Sequence, residues 1–304
     1  MRDRRGMLAL SAAGTLWGTL GLVVRLLQDA DLPTVVIAFW RLVLATTVLA
    51  VVVGRPGLHA LRAEGRRPWR LLLVGVCFAV FQLSYFVGVR DAGVAVATLV
   101  TLGIAPVAAT AWEAVRERRA PGARTLVTVG CAVAGLALVS TASGVDAGAA
   151  PRPVAGVVAS LVSGLAYTAS AILSGPLSRR LGSFVITAAT SAVALAVMTP
   201  FALATGVGVP LDARTLGGLA WLGLVTTALA YGLFYRGLRT TPGSVAMVLT
   251  LLEPATAVVL AVVVLDEPAT PAGVAGTLLL IGAVAVLYLS PAPAQPRAEA
   301  PPPA

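Results

Sequence analysis

Apolar residues run through this chain in long blocks, not in the short alternations that let a water-soluble helix or strand show one face to solvent. Crossing the hydrocarbon layer of a bilayer takes about 20 mostly apolar residues in a helix. Ten stretches meet that requirement: 7–27, 34–53, 71–89, 93–114, 124–141, 154–175, 183–205, 215–235, 243–265 and 272–290. The connections between them are short, and 54–70 alone reads as a longer loop. The first run opens like a signal peptide, but it continues past a normal signal core to Leu27 and further spans follow. It therefore reads as an uncleaved first helix. Residues 1–6 form a short N-terminal segment. Residues 291–304 are rich in Pro and Ala and read as a disordered tail.

Composition reinforces the lipid reading. Only 12% of the 304 residues are charged and 58% are hydrophobic, whereas a soluble domain carries about 25% charge to cover its surface. The net charge of +9 does not point to nucleic acid. All 22 basic residues are Arg, and most lie in the loops, where they encode orientation. Alternate loops divide them unequally. One side, which includes both termini, holds 17 Arg, among them Arg4, Arg62, Arg70, Arg116, Arg119, Arg179 and Arg239. The other side holds Arg25, Arg90, Arg152 and Arg214 among seven acidic residues. The positive-inside rule predicts an inner-membrane protein with both termini cytoplasmic.

The absence of Lys excludes a Walker-type phosphate loop and a Schiff-base nucleophile. The one His, His59, falls in a predicted cytoplasmic loop, and no predicted span holds two acids at helical spacing. No metal site, cofactor or enzymatic chemistry is expected. Cys77 and Cys131 stand alone in apolar runs and read as packing residues.

The most informative pattern is internal. Gly88, Arg90, Val96, Ala97, Thr101 and Leu102 recur in order as Gly237, Arg239, Val245, Ala246, Thr250 and Leu251. Pro106 and Pro254 follow, and then Glu117 and Glu267, each four residues before a further proline. Gly14 and Trp17 near the start match Gly164 and Tyr167. The offset stays near 150 residues, about half the chain. Each half, 7–141 and 154–290 with an external linker at 142–153, holds five spans. An odd number makes the second half enter the membrane from the opposite side. The expected fold is an all-α membrane protein of ten transmembrane helices arranged as two inverted five-helix repeats, an architecture of secondary transporters with a midplane binding site.

These features resemble the EamA family of the drug/metabolite transporter superfamily over residues 7–290. The resemblance is carried by the two five-helix halves and the proline-bearing fourth helix of each. In the second half the match runs from Leu252, Glu253 and Pro254 to Asp266, Glu267 and Pro268. The first half departs between Glu113 and Arg119, where the proline-to-acid interval is two residues shorter. The resemblance implies a carrier of small metabolites, with helices one to four and six to nine around a central cavity and helices five and ten peripheral.

A charge deep in a span is costly and marks a functional candidate. Arg41 lies about 10 Å inside the second span at 1.5 Å per residue. It either faces a cavity and attracts an anionic group or snorkels to the interface. Glu253 lies near the middle of the ninth span beside Pro254, which removes a backbone donor. It is a candidate for proton or substrate coupling, or a neutral acid that patches the kinked helix. Glu113 sits nearer the Arg116–Arg119 cluster and reads as interfacial. Trp17, Gln82, Tyr85, Tyr167, Thr226, Thr227 and Tyr231 are the polar and aromatic candidates for the cavity wall. Pro106 and Pro254 are the candidate helix breaks.

The function expected from these residues is a secondary transporter of small organic metabolites such as amino acids. It would export them by alternating access, with or without proton coupling. A facilitative carrier for a carboxylate, sugar or nucleotide-linked solute is the alternative, and a non-transporting accessory membrane subunit is the alternative of another class. The expected partners are a small-molecule solute, protons and the lipid bilayer, with no nucleic acid, and the oligomeric state is open between monomer and homodimer.

Overall fold

Every described element of the computed structural model is helical, and the description covers residues 4–28, 32–63, 68–142 and 151–289. Ten helices are long and apolar enough to span a bilayer. They are α1 (Arg4–Gln28), α2 (Thr34–Ala63), α3 (Trp69–Ala92), α4 (Val94–Glu117) and α5 (Ala123–Thr141), then α6 (Pro153–Leu181), α7 (Ser183–Thr205), α8 (Ala213–Gly237), α9 (Gly243–Val264) and α10 (Pro271–Leu289). The ten predicted spans match these helices one for one. The expected disordered tail and most of the external linker lie outside the described residues. The Ser11 and Tyr288 hydroxyls are 2.9 Å apart, so α1 begins where α10 ends. We call this end of the bundle the terminal face.

One expectation fails at the end of α2. Within the expected loop at 54–70, residues 55–63 are helical, because helix resumes after a kink at Gly54 (φ 54°) and continues to Ala63. Pro56 falls in the first turn of this extension, where a missing N–H costs nothing. The residues around Ala60 and Leu61 are good helix formers. His59 is accordingly helical.

The halves are interleaved and not side by side. α1 packs on α8 and α9 of the second half, and α6 packs on α3 and α4 of the first. α2 meets α7, and α5 meets α10. Exchanging the two halves leaves this set of contacts unchanged, as a two-fold axis in the membrane plane requires.

The residues that carried the sequence repeat sit at these interfaces. A Cβ at Gly14 would lie 3.0 Å from the Thr250 carbonyl oxygen, and one at Gly164 would fall on the Thr101 carbonyl oxygen. Gly237 approaches Gly6 in the same way that its counterpart Gly88 approaches Gly156. Small residues are needed because backbone meets backbone. Hydroxyls join the helices between these contacts. Thr101 donates to the Ser160 carbonyl (3.1 Å), Ser163 to that of Phe81 (2.8 Å) and Ser178 to that of Tyr235 (2.8 Å). Side chains on the outer surface remain apolar, with Val51 and Val115 more than three-quarters exposed. Such a surface is stable only against lipid.

Candidate functional site

Two broken helices shape the middle of the bundle. α9 is helical to Thr250 and restarts at Leu252, with Leu251 (φ −69°, ψ 0°) between. Pro254 therefore stands in the first turn of the second segment. There its missing N–H is one that helical bonding would have left unpaired anyway. The expected break at Pro254 is present and lies three residues before it. α1 is interrupted at Thr19, next to Gly18, whose backbone comes close to the Glu253 carbonyl oxygen. Pro106 behaves differently, since α4 runs through it without interruption. Its effect is local: it withholds the helical donor that the Leu102 carbonyl would otherwise accept.

A cavity of about 130 Å³ lies at these breaks, lined by Trp17, Leu20, Arg41, Phe81, Gln82, Tyr85, Phe86, Thr98, Thr101, Leu102, Tyr167, Tyr231 and Glu253. Seven of the nine candidates from the sequence meet here. The other two, Thr226 and Thr227, stand behind the wall. The Thr226 side chain is fully buried and donates to the Leu222 carbonyl at 2.8 Å, while its own carbonyl accepts from Trp17 Nε1 at 2.9 Å. Thr227 likewise bonds the Leu222 carbonyl. Those bonds belong to a π-helical stretch, Trp221–Leu229, inside α8. The wider turn shifts the register of α8 before it delivers Tyr231 to the cavity.

Arg41 donates from one guanidinium nitrogen to Oε1 of Gln82. Its Nε and the Gln82 Nε2 are buried without a hydrogen-bond partner. Glu253 lines the same cavity and acts electrostatically on Arg41. No direct Arg41–Glu253 ion pair forms among the described residues, so the two charges face the space between them separately. Buried donors without partners are rare and call for an explanation.

Aromatic rings close the cavity toward the terminal face. Tyr231 meets Trp17 and Phe78 at 4.7 Å between centroids, and Tyr167 stacks on Phe234 at 5.9 Å. Phe78, Phe234 and Tyr235 beneath them are nearly fully buried. The other direction is open. A second cavity of about 640 Å³ shares Trp17, Tyr85, Thr98 and Glu253 with the first and continues to Arg25, Glu267 and Thr270 at the opposite end. Its walls include Leu136 and Val139 of α5 and Gly273 of α10, so these two helices reach the vestibule and are not purely peripheral. α7 contributes nothing to either cavity.

Phe81, Phe86, Thr98, Thr101, Leu20 and Leu102 were absent from the sequence candidates. Thr98 and Phe81 carried a usable signal, lying one turn from Thr101 and Tyr85 on the same helix faces.

Ten apolar helices in two inverted halves, with charged and aromatic side chains in a midplane cavity open to one face, define a multi-pass membrane transporter and not an enzyme. The chain belongs to the EamA-like transporter family, whose model matches twice, at residues 4–141 and 154–289. It is 31% identical over 291 residues to the protein named "Uncharacterized transporter YwfM" of Bacillus subtilis (strain 168), covering 95% of each chain. A solved crystal structure, described only as that of a protein, matches with a TM-score of 0.82 at 19% identity. It covers 94% of this chain and 97% of the other, and at that identity the likeness concerns the fold.

Proposed function

We propose that this transporter carries small zwitterionic metabolites of the amino-acid type, in the exporting direction, by alternating access at the Arg41–Gln82–Glu253 cavity. The observation that carries the reading is the pair of unpartnered donors, Arg41 Nε and Gln82 Nε2, which share one cavity with Glu253. A carboxylate would satisfy both donors, and an ammonium group would pair with Glu253. The aromatic walls would take an apolar side chain, and the small central cavity limits its size. Glu253 would also take up and release a proton during the cycle, because a low-dielectric site disfavours a bare carboxylate. The Arg asymmetry supports placement in the cell's inner membrane with both termini cytoplasmic.

The test is counterflow of radiolabelled amino acids in liposomes containing the purified protein, with and without a pH gradient. Wild type is expected to accumulate label. Glu253→Gln and Arg41→Gln should lose it at unchanged yield. Unchanged uptake and pH dependence in Glu253→Gln would remove the coupling role. Flux of a sugar or a simple carboxylate in place of amino acids would favour the facilitator reading.

A further inference from the structure

α4 and α9 are repeat-related helices that lie against each other, and they are held differently at their two ends. At the terminal face the Glu113 carboxylate accepts from the backbone N–H of Ser244 at 3.0 Å and from the Ser244 hydroxyl at 2.5 Å. Ser244 is the second residue of α9. The carboxylate therefore satisfies a donor left over at the helix start and sits at the positive end of the helix dipole. The bond joins the first half to the second at the end where the aromatic layer shuts the cavity.

The inverted symmetry provides an internal comparison. Exchange of the halves carries Ser244 onto Ala95 and Glu113 onto the turn at Ala261 and Val262. All three of these residues line the open vestibule, and none has a polar side chain. The closed end thus carries a charged clasp, and the equivalent positions at the open end carry nothing that bonds. The Arg25–Glu267 pair at the vestibule rim is no substitute, because both side chains are about half exposed, and exposed pairs contribute little.

We propose that Glu113 and Ser244 form the clasp that holds the terminal face closed in the solute-free protein, and that its release is a required step when the cavity changes face. Both act on gate position and neither touches the solute. The opposite mouth, with only Ala and Val at the matching positions, closes by apolar contact once a solute fills the cavity. The consequence for transport rests on the functional reading above, but the gate itself is measurable without any solute.

The experiment places spin labels at Glu117→Cys and Arg239→Cys, both exposed at the terminal face, in a Cys77→Ala/Cys131→Ala background. Pulsed dipolar spectroscopy on the full chain in lipid nanodiscs then reads the distance across the gate. The intact clasp is expected to give one short population. Glu113→Ala, which removes both bonds, should add a population several ångströms longer; Ser244→Ala, which keeps the backbone N–H bond, should add a smaller fraction of that population, and the double variant should go no further than Glu113→Ala. Glu113→Gln retains an acceptor oxygen and should stay short. Should Glu113→Ala fail to fold, Ser244→Ala, a minimal change at a buried site, carries the test. Unchanged distances in folded Ser244→Ala and Glu113→Ala would overturn the clasp. Absence of flux in wild type would instead overturn the transport reading and leave the distance measurement intact.

Discussion

At the scale of single residues, the charges were the legible part of the site. Arg41, Gln82 and Glu253 stood out because polar groups inside a span are costly, and the fold brings them to one cavity. Orientation was not legible. Leu49 is 1% exposed and Val51, two residues on, is 78% exposed. Both are apolar, since lipid and protein interior make the same demand on a side chain. For the same reason Thr226 read as a cavity residue and lies behind the wall. This difference separates two substitutions. Arg41→Gln removes a charge-assisted donor that lines the cavity, and such bonds contribute about 1.5–3 kcal/mol. We expect binding to weaken by a factor of about 10 to 150, measured by calorimetry or scintillation proximity, with little change in Tm. Thr226→Val keeps the shape, and the Thr226 carbonyl that Trp17 uses, but loses a buried bond to Leu222. It should lower stability by about 1 kcal/mol and leave affinity unchanged. A loss of affinity without a loss of stability in Thr226→Val would contradict the placement of this residue.

At the scale of elements, hydropathy located all ten spans but not their irregularities. In the π-helical turn of α8, Thr226 and Thr227 share the Leu222 carbonyl, an arrangement that no hydrophobic period records. Pro106 and Pro254 look alike in the sequence and behave differently because one is inside a helix and the other in a first turn. The extension of α2 beyond Gly54 was hidden by the proline and arginines that follow it. The start of α8 is more predictable. Asp212 caps it, accepting from the Thr215 N–H at 2.9 Å and the Thr215 hydroxyl at 2.7 Å. The Thr215 bonds hold the Asp212 carboxyl below its ordinary range, the backbone N–H contributing most. A depressed value means that the ionised cap stabilises α8 at and above the ordinary carboxylate range. That contribution disappears as pH falls through the lowered value. Hydrogen exchange in the first turn of α8 should therefore rise on acidification. In Asp212→Ala it should be high at all pH values and lose that dependence. A pH-independent first turn in the wild type would exclude the cap as its stabiliser.

At the scale of the whole molecule, the repeat was legible because it recruits residues that lipid does not ask for. Gly14, Thr101, Gly164 and Thr250 recur where helices from opposite halves touch. What no single sequence reveals is which of the two symmetric cavities is open. The structure opens the face opposite the termini, and the inverted relation then specifies the walls of the other passage. Thr98 lines both the central cavity and the vestibule, and its counterpart in the second half is Met247, now 1% exposed in the layer that closes the terminal side. If the halves exchange conformations during transport, Met247 takes the place that Thr98 holds now. In a Cys77→Ala/Cys131→Ala background, Met247→Cys should therefore resist a membrane-impermeant maleimide in the solute-free protein. It should react from the terminal face when Glu113→Ala releases the clasp or when a transported solute drives the cycle. Thr98→Cys should show the reverse, labelled from the vestibule at rest and protected when the terminal face opens. Matched and opposite changes at these two positions require the two halves to trade roles. If Thr98→Cys became protected while Met247→Cys stayed inert, the vestibule would close without the terminal face ever opening, and the bundle would bind solute without passing it on.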